Sequence, residues 1–283
     1  IDAAQKNDVD PYEVTWLLQG VSSLSNTALR LGTFQIQPQI SLKFSLGELT
    51  EKWQQRLRDR VPVQYLVGET PWRDLMLTVT PAVLIPRPET ELVIDIVQQR
   101  IQESPLRDEL EQGTWVDMGT GSGAIAIALA RALPQAKILA VDISNDAITV
   151  AQQNAVRNGV AQHIEFLQGS WFKPLPRGLK LSGVVTNPPY IPTETVNTLD
   201  PEVHHEPRQA LDGGEDGLYD IRALARSAMS YLRPGGLWIT EHMLGQADNI
   251  AELLNALDYT QVKQHQDLSG IQRFVSGRCP TDV

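Results

Sequence analysis

The run Asn187-Pro188-Pro189-Tyr190 concentrates the chemistry of this 283-residue sequence. Gly183, Val184, Val185 and Thr186 precede it and predict a short buried strand, which places the tetrapeptide at that strand's carboxyl end. In open α/β sheets ligands bind there. Each proline fixes φ, removes an N–H and pushes the residue before it toward an extended conformation, so the turn is stiff and presents bare carbonyls. Asn187 adds a side-chain acceptor beside them. Asn187 Oδ1 and the Pro188 carbonyl can hold the two hydrogens of a planar NH2 group while the Tyr190 ring packs against its face. The same four residues taken alone also suit a plain strand-ending turn, and what precedes them decides between the two.

Asp117, Met118, Gly119, Thr120, Gly121, Ser122, Gly123 and Ala124 lie between an expected strand, Trp115 to Met118, and an expected helix, Ala124 to Leu133. Glycine at every second position lets backbone approach a ligand closely. Asp142 ends the next expected strand, where a carboxylate can accept both ribose hydroxyls of an adenosine-type cofactor. Gly119, Gly121 and Ala124 also satisfy the dinucleotide pattern, so the turn alone does not separate a nicotinamide cofactor from other adenosine ligands. Trp171, after the third strand, offers an aromatic face for an adenine. The NH2 clamp breaks the tie: hydride transfer to a carbonyl needs a proton donor these motifs lack, whereas a held nitrogen has a purpose opposite an electrophilic methyl. The expected cofactor is S-adenosyl-L-methionine, leaving as S-adenosyl-L-homocysteine.

These residues need a sheet to position them. From residue 89 onward the pattern alternates strand and helix, as a doubly wound parallel sheet requires. Expected strands are Trp115 to Met118, Ile138 to Val141, Ile164 to Leu167, Gly183 to Thr186, Leu237 to Thr240, Gln261 to Gln266 and Arg273 to Ser276, with the last two antiparallel because Leu268 to Ile271 leaves no room for a crossover helix. The fold class is therefore α/β with a Rossmann-like seven-stranded sheet, preceded by a small helical bundle over residues 1–64 and a hairpin linker over 65–88. The bundle is read from an Asp10-Pro11 helix start, a helix at Asn26 to Leu31, and a Ser45/Glu48 capping box before Leu46, Leu49, Trp53 and Leu57 at helical spacing. Val61 to Pro88 reads as short extended runs, with Leu75, Leu77 and Val79 alternating. The segment Ile85 to Glu91, with two charged residues between prolines, reads locally as a rigid connector.

With 42% hydrophobic residues the chain can bury a substantial core. Its 34 acidic against 24 basic side chains give a net charge of −10, which repels duplex nucleic acid on average. One cysteine, Cys279, fits a reducing compartment, and no run of about 20 apolar residues or signal-peptide pattern is present, so a cytoplasmic location and no membrane partner are expected. The five histidines lack metal-site spacing, and no metal is assigned.

The segment Ile85 to Glu91, the turn Asp117 to Gly123, the clamp Asn187 to Tyr190, Glu206-Pro207 and Asp267-Leu268-Ser269-Gly270 together resemble the release factor glutamine methyltransferase (HemK/PrmC) family across nearly the whole chain. The resemblance implies a class I S-adenosylmethionine-dependent enzyme that methylates the side-chain amide nitrogen of the glutamine in the Gly-Gly-Gln motif of class I peptide chain release factors. It implies that Gly119, Thr120, Gly121, Ser122 and Gly123 surround the methionine part of the cofactor, that Asp142 takes the ribose, that Trp171 flanks the adenine, and that Asn187 is near both cofactor and substrate. Asn187, Pro188, Pro189 and Tyr190 would hold the glutamine, with Asn187, Pro188 and Tyr190 catalytic, and the helical bundle would dock the release factor to a monomeric enzyme. Three positions depart from the family pattern: Ser170 for an acidic residue, Met243 for glycine and His205 for an aromatic. The competing readings are an adenine or guanine amino methyltransferase using the same clamp on a base, and a cofactor-binding regulator without chemistry.

Overall fold

The computed structural model describes residues 2–36 and 39–281. Its first segment is helical: α1 (Asp2–Lys6), α2 (Tyr12–Val21), α3 (Asn26–Leu31), α4 (Leu46–Asp59) and α5 (Val63–Val67). Ser45 accepts from the Glu48 N–H while the Glu48 carboxylate accepts from the Ser45 N–H, closing the expected capping box at the start of α4. Asp10 Oδ1 accepts from the Tyr12 N–H and so starts α2, which runs one residue beyond Gly20. Leu17, Val21, Val63, Leu66 and Val67 form a buried cluster against Trp16, Phe44, Leu49 and Trp53.

The α5 helix corrects the expected extended run after Val61. Its valines favour strand, yet Pro62 stands at its N-cap, Gly68 ends it at φ 84°, and Val63, Leu66 and Val67 at i, i+3 and i+4 bury one helical face. The hairpin begins after it, as β1 (Glu69–Trp72) pairs antiparallel with β2 (Leu75–Thr78).

Beyond the hairpin come α6 (Leu92–Gln102), α7 (Arg107–Gln112), β3 (Thr114–Met118), α8 (Ala124–Ala132), β4 (Lys137–Asp142), α9 (Asn145–Arg157), β5 (Ile164–Gln168), β6 (Leu181–Thr186), α10 (Thr193–Val196), α11 (Tyr219–Tyr231), β7 (Leu232–Glu241), α12 (Ala247–Ala256), β8 (Thr260–Gln266) and β9 (Gln272–Arg278). The sequence pattern missed the short α1, α7 and α10, which have no long apolar period to announce them. The seven-stranded sheet runs β5-β4-β3-β6-β7-β9-β8. Its first five strands are parallel, β9 pairs antiparallel with β8, as the short Leu268 to Ile271 connection requires, and β9 also pairs antiparallel with β7. One face is covered by α6, α8 and the hairpin, through residues such as Ile94, Ile127 and Trp72, and the other by α11 and α12 through Ile221, Leu224 and Ile250.

Register sets the position of the site. Met118 of β3 stands beside Val141 of β4 and Thr186 of β6, and Thr186 stands beside Thr240 of β7. Four parallel strands thus end in step, and the chain leaving each one enters the same edge of the sheet.

In mid-sheet the fit is tight. Trp115 is fully buried with its Nε1 donating to the Leu110 carbonyl, and a Cβ built on Gly183 would lie 2.0 Å from its ring. Gly183→Ala should therefore destabilise the fold by about 2 kcal/mol or more, the range of overpacked cores, read as a lower urea midpoint with unchanged m-value. A midpoint equal to that of the unsubstituted chain would show that the indole moves freely.

Candidate active site

Where the four strands end, a cavity of about 460 Å³ opens, within the range of small-molecule sites. Gly119, Thr120, Gly121, Ser122, Asp142, Trp171, Asn187 and Pro189 line it, so the structure brings the glycine turn, the carboxylate and the clamp to one place. Gly123, Pro188 and Tyr190 stand outside the lining. Gly123 instead ends the turn at φ 84°, where a Cβ would meet that of Ala151 at 3.0 Å.

The turn is left-handed at Gly119, Gly121 and Gly123, with φ of 76°, 52° and 84°, which an L side chain rarely adopts. A Cβ on Gly119 would come within 3.4 Å of the Trp171 ring, while the space beside Gly121 is open. Asp117 ties the turn from beneath. It is fully buried, and its Oδ2 accepts from the Thr120 hydroxyl at 2.6 Å and from the Ala126 N–H at 3.1 Å. Burial pushes its carboxyl up to about 7, against those two hydrogen bonds, and the Asp142 charge adds to the rise.

Asp142 closes the turn from the other side. Its Oδ2 accepts from the Gly121 N–H at 2.8 Å and its Oδ1 from the Ser144 N–H at 2.9 Å. Each oxygen retains a lone pair for a further donor. Desolvation raises its pKa against these N–H bonds. Trp171 adopts φ 50°, and its Nε1 donates to Asp220 Oδ1 at 3.1 Å, holding the ring over the glycine turn. The departures leave this geometry intact: Ser170 lines the cavity, Met243 makes backbone hydrogen bonds to His242 and Gln246, and His205 Nε2 reaches the Asp59 carbonyl at 2.8 Å.

Asn187 follows β6 directly. Its Nδ2 donates to the Thr90 hydroxyl at 3.2 Å, and among the described residues its Oδ1 has no side-chain or backbone donor. The Tyr190 hydroxyl donates to Glu241 Oε1 at 3.1 Å, and the Tyr190 carbonyl accepts from Gln246 Nε2 at 2.9 Å. Glu241 is 2% exposed, and burial pushes its carboxyl up to about 7. Its Oε2 has no partner at hydrogen-bond geometry, although the Thr90 hydroxyl is close enough to hold its pKa down.

The Ile85 to Glu91 segment is more than a rigid connector. The Arg87 carbonyl accepts from Trp72 Nε1 at 2.8 Å, while its guanidinium Nη2 stands 2.9 Å from both oxygens of the buried Glu206. Thr90, three residues on, reaches Asn187. Sequence reasoning missed Thr90, Glu241 and Asp220 as parts of the site. The one available signal was their neighbourhood: Thr90 lies in the Ile-Pro-Arg-Pro-Glu-Thr-Glu segment and Glu241 ends a strand.

Residues 94–266 match the methyltransferase small domain family. The release factor glutamine methyltransferase of Synechocystis sp. is 47% identical over 95% of this chain and 90% of its own length, and that of Thermosynechococcus vestitus is 46% identical over 95% and 91%. This chain belongs to the release factor glutamine methyltransferase family. The methyltransferase fold recurs in the 16S rRNA N2 G1207 methyltransferase of T. thermophilus, solved with AdoMet and guanosine, at 18% identity and a TM-score of 0.52 over 74% of this chain and 49% of that one.

A release factor glutamine methyltransferase built on this turn carries a pH signature. The Asp117 carboxyl has a folded pKa of about 7 against an ordinary value of 3.8. The folded state therefore holds its proton more tightly, and this contribution to stability is full below about pH 4 and is lost as pH rises to about 7. Asp117→Asn should flatten the fall in unfolding free energy between pH 4 and 7, read by urea titration at each pH. An unchanged slope would place the titration elsewhere.

Proposed function

We propose that this chain transfers the methyl group of S-adenosyl-L-methionine to the side-chain amide nitrogen of the glutamine in the Gly-Gly-Gln motif of class I peptide chain release factors. The observation that carries this reading is Asn187: at the end of β6 it lines the cavity that the glycine turn and Asp142 share, and its amide is held by Thr90 through Nδ2, which leaves Oδ1 for another donor. Family membership and the relatives' names support the same substrate.

The residues present suit the cofactor. Open space beside Gly121 admits a ligand against the backbone, and Asp142 offers the spare lone pairs that ribose hydroxyls need. Gly119, Thr120, Gly121 and Ser122 would hold its methionine portion, with Gly123 shaping the turn, while Trp171 flanks the adenine and Asn187 meets both ligands. Bound there, the cofactor supplies an electrophilic sulfonium methyl.

The rest falls to the chain. An amide nitrogen is a poor nucleophile because its lone pair is delocalised into the carbonyl. Asn187 Oδ1 and the Pro188 carbonyl accept its two N–H bonds, which favours a pyramidal nitrogen with its lone pair freed. Orientation of this kind is worth several kcal/mol, and acceptors that bind more strongly as positive charge grows on nitrogen add to it. Pro189 stiffens the turn and Tyr190 completes the substrate clamp. The surplus proton leaves to water.

Residues 1–64 serve as the docking domain, 65–88 as the link and 89–283 as the methyltransferase domain, working as a monomer in the cytoplasm. Among the described residues no helix is long and apolar enough to cross a membrane.

With labelled cofactor, a purified release factor carrying Gly-Gly-Gln should take up label and its Gly-Gly-Ala variant should not. Label in RNA or DNA instead would move the clamp's target to a base. Asn187→Ala should lower kcat by about 100-fold or more, in the range of a lost oriented acceptor, with cofactor affinity within a few-fold. Near-normal turnover by that variant would refute the clamp.

A further inference from the structure

The amide of Asn187 could face either way, and only one way leaves an acceptor for the substrate. Its neighbour decides. Thr90 is 5% exposed, comes from a segment 97 residues earlier, and accepts the Asn187 Nδ2–H at 3.2 Å. A hydroxyl can accept there or donate there. Glu241, a carboxyl 2% exposed on the strand beside β6, takes the Tyr190 hydroxyl at Oε1 and has no partner at hydrogen-bond geometry for Oε2. Here the Thr90 hydroxyl offers Asn187 a lone pair, and Asn187 answers with Nδ2.

We propose that Thr90 is a positioning residue: its hydroxyl, accepting from Nδ2, locks the Asn187 side chain with Oδ1 toward the methyl acceptor. Glu241 secures the other end of the clamp by accepting from the Tyr190 hydroxyl. The inference rests on the acceptor role given to Asn187 above. It extends that role to the Ile85 to Glu91 segment, whose Arg87 also reaches the loop after the clamp through Glu206.

A residue that only packs would be judged by shape, and valine is close in shape to threonine. Thr90→Val removes the hydroxyl and keeps the bulk, and Thr90→Ser keeps the hydroxyl and trims the methyl. Thr90→Val should lower kcat for methyl transfer by about 10- to 100-fold, the scale of a misplaced reacting group, with the acceptor KM and the calorimetric Kd for S-adenosylhomocysteine within about threefold of the unsubstituted enzyme. Thr90→Ser should keep kcat within about threefold. Equal kcat in Thr90→Val and the unsubstituted enzyme would overturn the proposal, as would equal losses in the two variants or a loss confined to KM or cofactor affinity. Should Thr90→Val fail to fold, Thr90→Ala against Thr90→Ser makes the same comparison. Which acceptor takes the label from the unsubstituted enzyme tests the function, and the ratio of the two variants on that acceptor tests the positioning, so either can fail without the other.

Discussion

The parallel register of β3, β4, β6 and β7 is the constraint on which the site depends. Met118, Val141, Thr186 and Thr240 are aligned across the sheet, and the Thr186 hydroxyl donates to the Met118 carbonyl at 2.7 Å, fastening two of the strands at that edge. The next residues outward are Gly119, Asp142, Asn187 and Glu241. A shift in the pairing of any one strand would carry its functional residue along the strand by about 3.3 Å per residue, and a one-residue shift would also turn its side chains to the other face. The chemistry therefore inherits its precision from sheet hydrogen bonds and from the buried apolar residues that hold the strands in place.

The second layer of control is electrostatic. Two carboxyls, Asp117 and Glu241, lie fully out of water near the ends of strands, each raised by burial to about 7. Each has one oxygen in hydrogen bonds and one buried without a partner at normal geometry. Such groups cost stability. Their gain lies in direction: Asp117 fixes the glycine turn through Thr120 and Ala126, and Glu241 fixes Tyr190 on the other side of β6. The protein holds polar groups at the ends of its strands where apolar ones would pack more stably, and those polar groups aim the residues on the cavity.

What the sequence revealed was local. The glycine turn, Asp142 and the Asn-Pro-Pro-Tyr run each act within a few residues, and strands between them have the apolar composition of buried parallel β-structure, so fold class, the antiparallel pairing of the last two strands and the approach of turn, carboxylate and Asn187 could all be read. The misses follow from range and from competing signals. Thr90 meets Asn187 across 97 residues and Trp171 meets Asp220 across 49, contacts that leave no periodic trace. Val63 to Val67 is rich in strand-forming valine yet folds as a helix because Pro62 and Gly68 bound it and its apolar face packs on α2. Pro188 and Tyr190 stand outside the cavity lining, and the Tyr190 hydroxyl turns to Glu241.

The loop after the clamp shows why the amino-terminal helices bear on the site. Arg56, 4% exposed at its side chain, meets both Glu13 on α2 and Glu202 in that loop, Arg60 also meets Glu202, and His205 reaches the end of α4 at the Asp59 carbonyl. The helices, the loop and the Arg87 segment are thus joined by charge-assisted bonds around Glu202 and Glu206. Removing one partner of a buried pair strands the other, whereas an intact pair adds little net stability over an apolar contact. These bonds consequently define where the loop sits more than how firmly the chain folds. Because the loop continues directly from Tyr190, a partner that displaced the helices would shift Glu202 and His205 and pull on the clamp from its carboxyl side, while Thr90 and Glu241 held it from beneath.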